Sequence, residues 1–148
     1  MKKILIADPD EELGSVYAEE LAEEGYQVAT CSDAAELMNA IVKERPDLIM
    51  IDTQMMLCPG QGFYREIENH LPVVPAIIYM SSLRSKPKKW AIPSENFLRK
   101  TCNLLPLKDK IKASLSNRPT KMKQQFQVPQ KQMTFQWLKE QKQVNRNQ

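Results

Sequence analysis

The sequence predicts an α/β fold built on a doubly wound sheet of five parallel strands. Three observations predict it. Short apolar runs alternate with segments of helical periodicity along the first 116 residues. Three of those runs, 3–8 (KILIAD), 48–52 (LIMID) and 76–80 (AIIYM), lack polar alternation, as strands covered on both faces do. A strand–helix–strand alternation closes by right-handed crossovers, which leave the strands parallel.

The elements follow in order. Residues 3–8 form the first strand. Residues 12–24 carry Leu13, Val16, Tyr17 and Leu21 at helical spacing, with Glu19, Glu20, Glu23 and Glu24 mostly on the other side, and Gly25 as the stop. The mixed run 27–30 (QVAT) reads as an edge strand. Residues 33–44 place Leu37, Met38, Ile41 and Val42 on one stripe, with a capping-box-like start at Asp33-Ala34-Ala35-Glu36 and Pro46 as terminator. The third strand, 48–52, precedes a helix over 62–70 with Phe63 and Ile67 on one face. After the fourth strand, 76–80, residues 82–95 contain Pro87 and Pro93, so a helix there is expected to be short or irregular. A second edge strand, 96–99 (NFLR), and a helix over 107–115 complete the order.

Composition excludes several classes. The chain has 148 residues and apolar runs of only about five, against the ~20 a membrane helix needs. Three cysteines (Cys31, Cys58, Cys102) at wide spacings make neither a disulfide framework nor a zinc site and suit a reducing cytoplasm. A single histidine, His70, excludes multi-histidine metal centres. The net charge of +3 divides unevenly: residues 1–116 hold 14 basic and 17 acidic side chains, residues 117–148 hold 7 and 1. With nine glutamines and few aliphatics, 117–148 reads as a basic tail, disordered alone, with an amphipathic stretch at 133–144. Three readings of this tail stand open: a solvated extension, a docking peptide anchored by Phe135, Trp137 and Leu138, or a nucleic-acid contact.

Chemistry-bearing residues gather at strand ends. Asp8 ends the first strand, Asp52 the third, and Lys100 follows the fifth. In open parallel sheets ligands bind beyond those ends. If the strand order is 2-1-3-4-5, Asp8 and Asp52 face one another across one gap. Two carboxylates held that close repel unless a cation sits between them or one takes a proton. A hard divalent cation, magnesium above all, relieves the repulsion. Taken singly, each aspartate reads equally as a turn or cap residue.

Five pieces in order, ILIADPDEEL, RPDLIMIDTQMM, GQGF, VPAIIYM and FLRK, resemble the response regulator receiver domain of two-component signalling over roughly residues 3–115. The resemblance implies a flavodoxin-like sheet of order 2-1-3-4-5. It implies Asp52 as phosphoryl acceptor from a histidine kinase or phosphotransfer protein, and Lys100 as the lysine pairing with the phosphoryl group. Asp8 and the backbone carbonyl of Gln54 would join Asp52 in holding Mg2+. Phe97 takes the aromatic switch position. The chain departs from the family at four places. Pro9 stands where a second acid is usual, with Asp10 one position late as a substitute. Met80 stands where a hydroxyl residue ends strand four, with Ser81 adjacent. Thr101 replaces the proline after the lysine, and Met56 and Pro59 alter the loop after Asp52. Three functions follow: a stand-alone cytoplasmic receiver that autocatalyses phosphoryl gain and loss without being a conventional enzyme, with output through protein contacts of the body or tail; a phosphorylation-independent interaction module; or a nucleic-acid tether acting through the basic tail.

Overall fold

Aliphatic side chains with nothing polar between them make β1 (Lys3–Ala7), β3 (Leu48–Asp52) and β4 (Ala76–Ser81) the interior strands. The more mixed β2 (Gln27–Cys31) and β5 (Phe97–Arg99) form the edges. All neighbours pair parallel in the order β2-β1-β3-β4-β5, as expected. The structure, a computed structural model, describes residues 1–56, 60–82 and 92–116, within the unit Met1–Asn117. Of the irregular segment expected over 82–95, residues 83–91 lie outside the described residues, as do Cys58, Pro59 and the tail with its stretch at 133–144; a 3-10 turn (Ser94–Asn96) leads into β5.

Helices α1 (Glu11–Glu23), α2 (Leu37–Glu44), α3 (Gly60–His70) and α4 (Leu105–Ser116) cover the sheet. Asp10 caps α1, its Oδ1 accepting from the Leu13 amide at 3.1 Å, and Glu11 and Glu12 suit the positive end of the helix dipole. Gly25 follows α1 at φ 96°, a left-handed position that glycine occupies without strain. The single helix expected over 33–44 divides. Asp33 Oδ1 accepts from the Ala35 amide at 2.9 Å, closing a tight turn, and a 3-10 turn (Ala34–Glu36) precedes α2. Arg45 takes φ 45° because Pro46 disfavours the right-handed helical region for the residue before it. Val16, placed on the apolar stripe by spacing, is 51% exposed; the buried stripe of α1 is narrower and runs through Tyr17 and Leu21.

Strand alternation sorts the core into two layers. On one face Leu5, Ile49, Ile51, Ile77 and Tyr79 pack against Leu37 and Ile41 of α2 and Phe63 and Ile67 of α3. On the other, Ile4, Ile6, Met50, Ile78 and Met80 pack against Tyr17 and Leu21 of α1 and Leu107 and Ile111 of α4. Each fully buried aliphatic contributes about 1.5–3 kcal/mol relative to exposure, so the two layers hold the strand ends in fixed register.

Candidate functional site at the strand ends

Register brings the two aspartates together. Ile4 pairs with Leu48 and Ile6 with Met50, so one further step of two residues sets Asp8 level with Asp52. The same alternation turns both carboxylates toward the α1/α4 face. Asp8 is held just past β1 by its amide, which donates to the Cys31 carbonyl at 3.0 Å and extends the β1–β2 ladder. Lys100 is held just past β5, its amide donating to the Ser81 carbonyl at 2.8 Å.

The three side chains close into one cluster. Lys100 Nζ lies 2.6 Å from Asp8 Oδ2 and 2.5 Å from Asp52 Oδ2. Both carboxylates are buried, at 4% and 7% exposure. Their other oxygens are also engaged: Asp8 Oδ1 accepts from the Asp10 amide at 2.9 Å, and Asp52 Oδ1 from the Gln54 amide at 2.7 Å. Burial pulls the Lys100 pKa down. The hydrogen bonds and charges of Asp52 and Asp8 outweigh it and hold the ammonium above the ordinary lysine value. Two carboxylates and one ammonium leave the cluster with one net negative charge.

The other predicted residues fall around this cluster. Met80 pairs directly with Asp52 across β3–β4, is buried, and shares its face, so a thioether stands beside the carboxylate. β4 runs without a bulge through Ser81, which pairs with Arg99; alternation therefore places the Ser81 side chain on the face of Tyr79, opposite Asp52. Asp10 is the helix cap described above. Gln54 is exposed, in the 3-10 turn Thr53–Met55 after β3. Phe97 pairs with Tyr79 and packs, half-buried, against the α2/α3 layer. Met55 and Met56 pack against that layer too. Cys31 is half-buried and Cys102 exposed, both free. His70 is exposed at the end of α3, with Nδ1 2.8 Å from the Glu66 carbonyl.

One neighbour escaped the reading of the sequence. Tyr17, there a member of the α1 stripe, lines a small cavity with Met80, Leu98, Arg99 and Thr101 and with Asn103, Leu104, Pro106 and Leu107, which lead into and begin α4. Its phenol lies within electrostatic reach of Lys100, Asp8 and Asp52. The available signal was the lean of helical side chains toward their own N-terminus, here the end beside Asp8.

Among the described residues no group of three or more His, Cys, Asp or Glu side chains is placed to hold a metal ion. The donor types nevertheless fit magnesium, which takes one or two carboxylates, accepts carbonyl oxygen and keeps several waters. Asp8, Asp52 and the Gln54 carbonyl are such a set. Among the described residues no helix is long and apolar enough to cross a membrane.

A sheet of this order, with two acids and a lysine converging at its carboxyl edge, defines a receiver. The model of the response regulator receiver domain matches residues 4–112, and the chain belongs to that family. It is similar to the transcriptional regulatory protein PrrA of Mycobacterium tuberculosis, 27% identical over 119 residues, which cover 78% of this chain and 51% of PrrA. It is similar also to YxdJ of Bacillus subtilis, 26% identical over 70 residues, 47% of this chain and 31% of that protein. The chain thus spans about half or less of the length of these curated relatives. Among solved structures, the response regulator TrrA of Thermotoga maritima, in complex with Mg2+ and BeF, matches at 25% identity and TM-score 0.62, covering 78% of this chain and all of that one. TrrA in complex with the histidine kinase ThkA matches at 29% identity and TM-score 0.62, covering 78% and 99%. A CheY-like receiver from Methanospirillum hungatei shares the fold at TM-score 0.66 and 24% identity, covering 80% and 96%.

Proposed function

We propose that this domain is a two-component receiver whose phosphoryl acceptor is Asp52. The observation that carries the reading is the contact of one lysine ammonium with both strand-end carboxylates, at 2.5 and 2.6 Å. A carboxylate oxygen of Asp52 attacks the phosphorus of a phosphohistidine. The new P–O bond forms as the P–N bond breaks, and the electron pair leaves on the imidazole nitrogen. Lys100 moves from the carboxylate to a phosphoryl oxygen and offsets charge where it accumulates, in a transfer governed by positioning and electrostatics. Asp8, Asp52 and the Gln54 carbonyl would hold Mg2+, which when bound supplies further charge neutralisation. The partner is a histidine kinase or phosphotransfer protein, as ThkA is for TrrA. The acyl phosphate, carrying about −2 charge, alters loop contacts at the strand ends and output follows through protein contacts. The named relatives are transcriptional regulators.

The test is incubation with magnesium and a small acyl phosphate, followed by intact mass. A single phosphoryl adduct on the wild type that vanishes in Asp52→Ala is expected. No adduct, or an equal adduct on the variant, overturns the reading. A second reading, an interaction module that signals without phosphate, draws on Met80 in register with Asp52 and on Pro9 after Asp8. It requires partner binding to be indifferent to Asp52→Ala.

A further inference from the structure

A receiver with Met80 beside Asp52 lacks a hydroxyl where β4 meets the acceptor, because a thioether has no proton to donate. Ser81 points by alternation to the opposite face. The α1/α4 face offers another hydroxyl. Tyr17 is buried at 3% exposure in the same layer as Met80 and lines a cavity with Met80, Leu98, Arg99, Thr101 and the residues that lead into and begin α4.

Geometry aims it at the site. Tyr17 lies six residues beyond Glu11, the first residue of α1, or about 9 Å along the helix axis. Side chains on a helix lean back toward its N-terminus, here the end that begins beside Asp8, and the Tyr17 phenol lies within electrostatic reach of Lys100, Asp8 and Asp52. The tyrosine is the longest side chain on the buried stripe of α1, and its hydroxyl is at the tip. Burial raises the phenol pKa against the opposing pull of Lys100, with Asp8 and Asp52 adding to the rise, so at neutral pH the group keeps its proton and remains a donor.

We propose that the Tyr17 hydroxyl supplies, from α1, the hydrogen bond to the phosphoryl group on Asp52 that Met80 withholds. This rests on Asp52 as the acceptor. The pocket around the phosphoryl group then has Lys100 on the β5 side and Tyr17 on the α1 side, with the Met80 thioether as an apolar wall between them.

The experiment compares the rate of adduct formation by intact mass, with magnesium and a small acyl phosphate. The proteins are the wild type, Asp52→Ala, Tyr17→Phe, and Tyr17→Phe combined with Met80→Thr, all confirmed folded by thermal melting. Tyr17→Phe removes one oxygen and keeps the buried ring. It is expected to slow formation about tenfold or more, as loss of a single preorganised donor does. Met80→Thr in the same chain, by restoring a hydroxyl beside Asp52, is expected to recover most of that loss. Tyr17→Phe at the wild-type rate overturns the inference while leaving the acceptor in place; so does a slow Tyr17→Phe that Met80→Thr does not recover. A wild type without an Asp52-dependent adduct overturns the acceptor and the inference together.

Discussion

Lys100 and Lys108 make the same contact in two settings, and the contrast separates a site from a strut. Each lysine sits between two carboxylates. Lys100 meets Asp8 and Asp52 at 2.6 and 2.5 Å, with its side chain 14% exposed and theirs 4% and 7%. Lys108 on α4 meets Glu20 of α1 and the C-cap residue Glu24 at 3.2 Å each, with its side chain 23% exposed and theirs 41% and 35%. Both ammonium groups are held above the ordinary lysine pKa. For Lys108 the cause is the hydrogen bonds to Glu24 and Glu20; for Lys100 burial works against the charge and the two aspartates overcome it. An ion pair in water adds little, because solvation already satisfies both partners. A buried one binds charges that have nowhere else to go, and removing one member strands the others. The cluster at the strand ends is therefore expected to respond strongly to a change in its charge, and the more exposed one weakly.

The largest break in that contrast is Lys100→Ala. It leaves two buried carboxylates facing each other and is expected to destabilise the fold by about 3 kcal/mol, the low end for an unpaired buried charge because the lysine side chain keeps 14% of its exposure. Urea unfolding at pH 7 measures it. The folded-state pKa of Lys100 is raised, so this contribution is fully present below the unfolded lysine value. It fades as pH rises through the higher folded value. The gap between wild type and Lys100→Ala should hold from pH 7 to 10 and narrow above that.

Met80→Thr sharpens the contrast by making the buried cluster more polar. Lost apolar burial is expected to cost roughly 2 kcal/mol in stability, while adduct formation on Asp52 speeds up. Chemical denaturation and intact mass read the two effects on one sample. A smaller effect comes from Asp10, a carboxylate at the rim. Asp10→Ala should cost about 1 kcal/mol through the lost helix cap, and Asp10→Asn, which keeps the cap, should leave both stability and adduct formation unchanged. Slowed adduct formation in Asp10→Asn would instead place this charge in the cation site. At the small end stands Lys108→Ala, expected to leave the unfolding midpoint and adduct formation at wild-type values.

Much of this arrangement was legible in the residues. The strands were readable because burial on both faces demands continuous apolar runs, and LIMID or AIIYM has few other uses. The stop at Gly25 and the end of α2 before Pro46 followed from backbone sterics. Helix starts were less readable. Asp33 offered a cap by its identity, yet its side chain closed a turn one residue earlier and delayed α2 to Leu37. Asp10 read as a stand-in for a missing acid. In the fold its amide donates to Asp8 and one carboxylate oxygen caps the first turn of α1, contacts set by where α1 begins, which neighbouring residues alone did not announce.

The pattern along the chain determined that there would be a parallel sheet and that Asp8, Asp52 and Lys100 would stand at its carboxyl edge, because periodicity and strand ends are local properties. Which groups touch was decided only by tertiary packing. Register set Met80 against Asp52 and turned Ser81 away, the α1/α4 layer brought Tyr17 to the same side, and burial joined Asp8 to Asp52 and Lys100, 44 and 92 residues further along the chain, as one electrostatic unit. Distance between side chains and exposure to water are properties of the folded whole, and they are what separates Lys100 from Lys108.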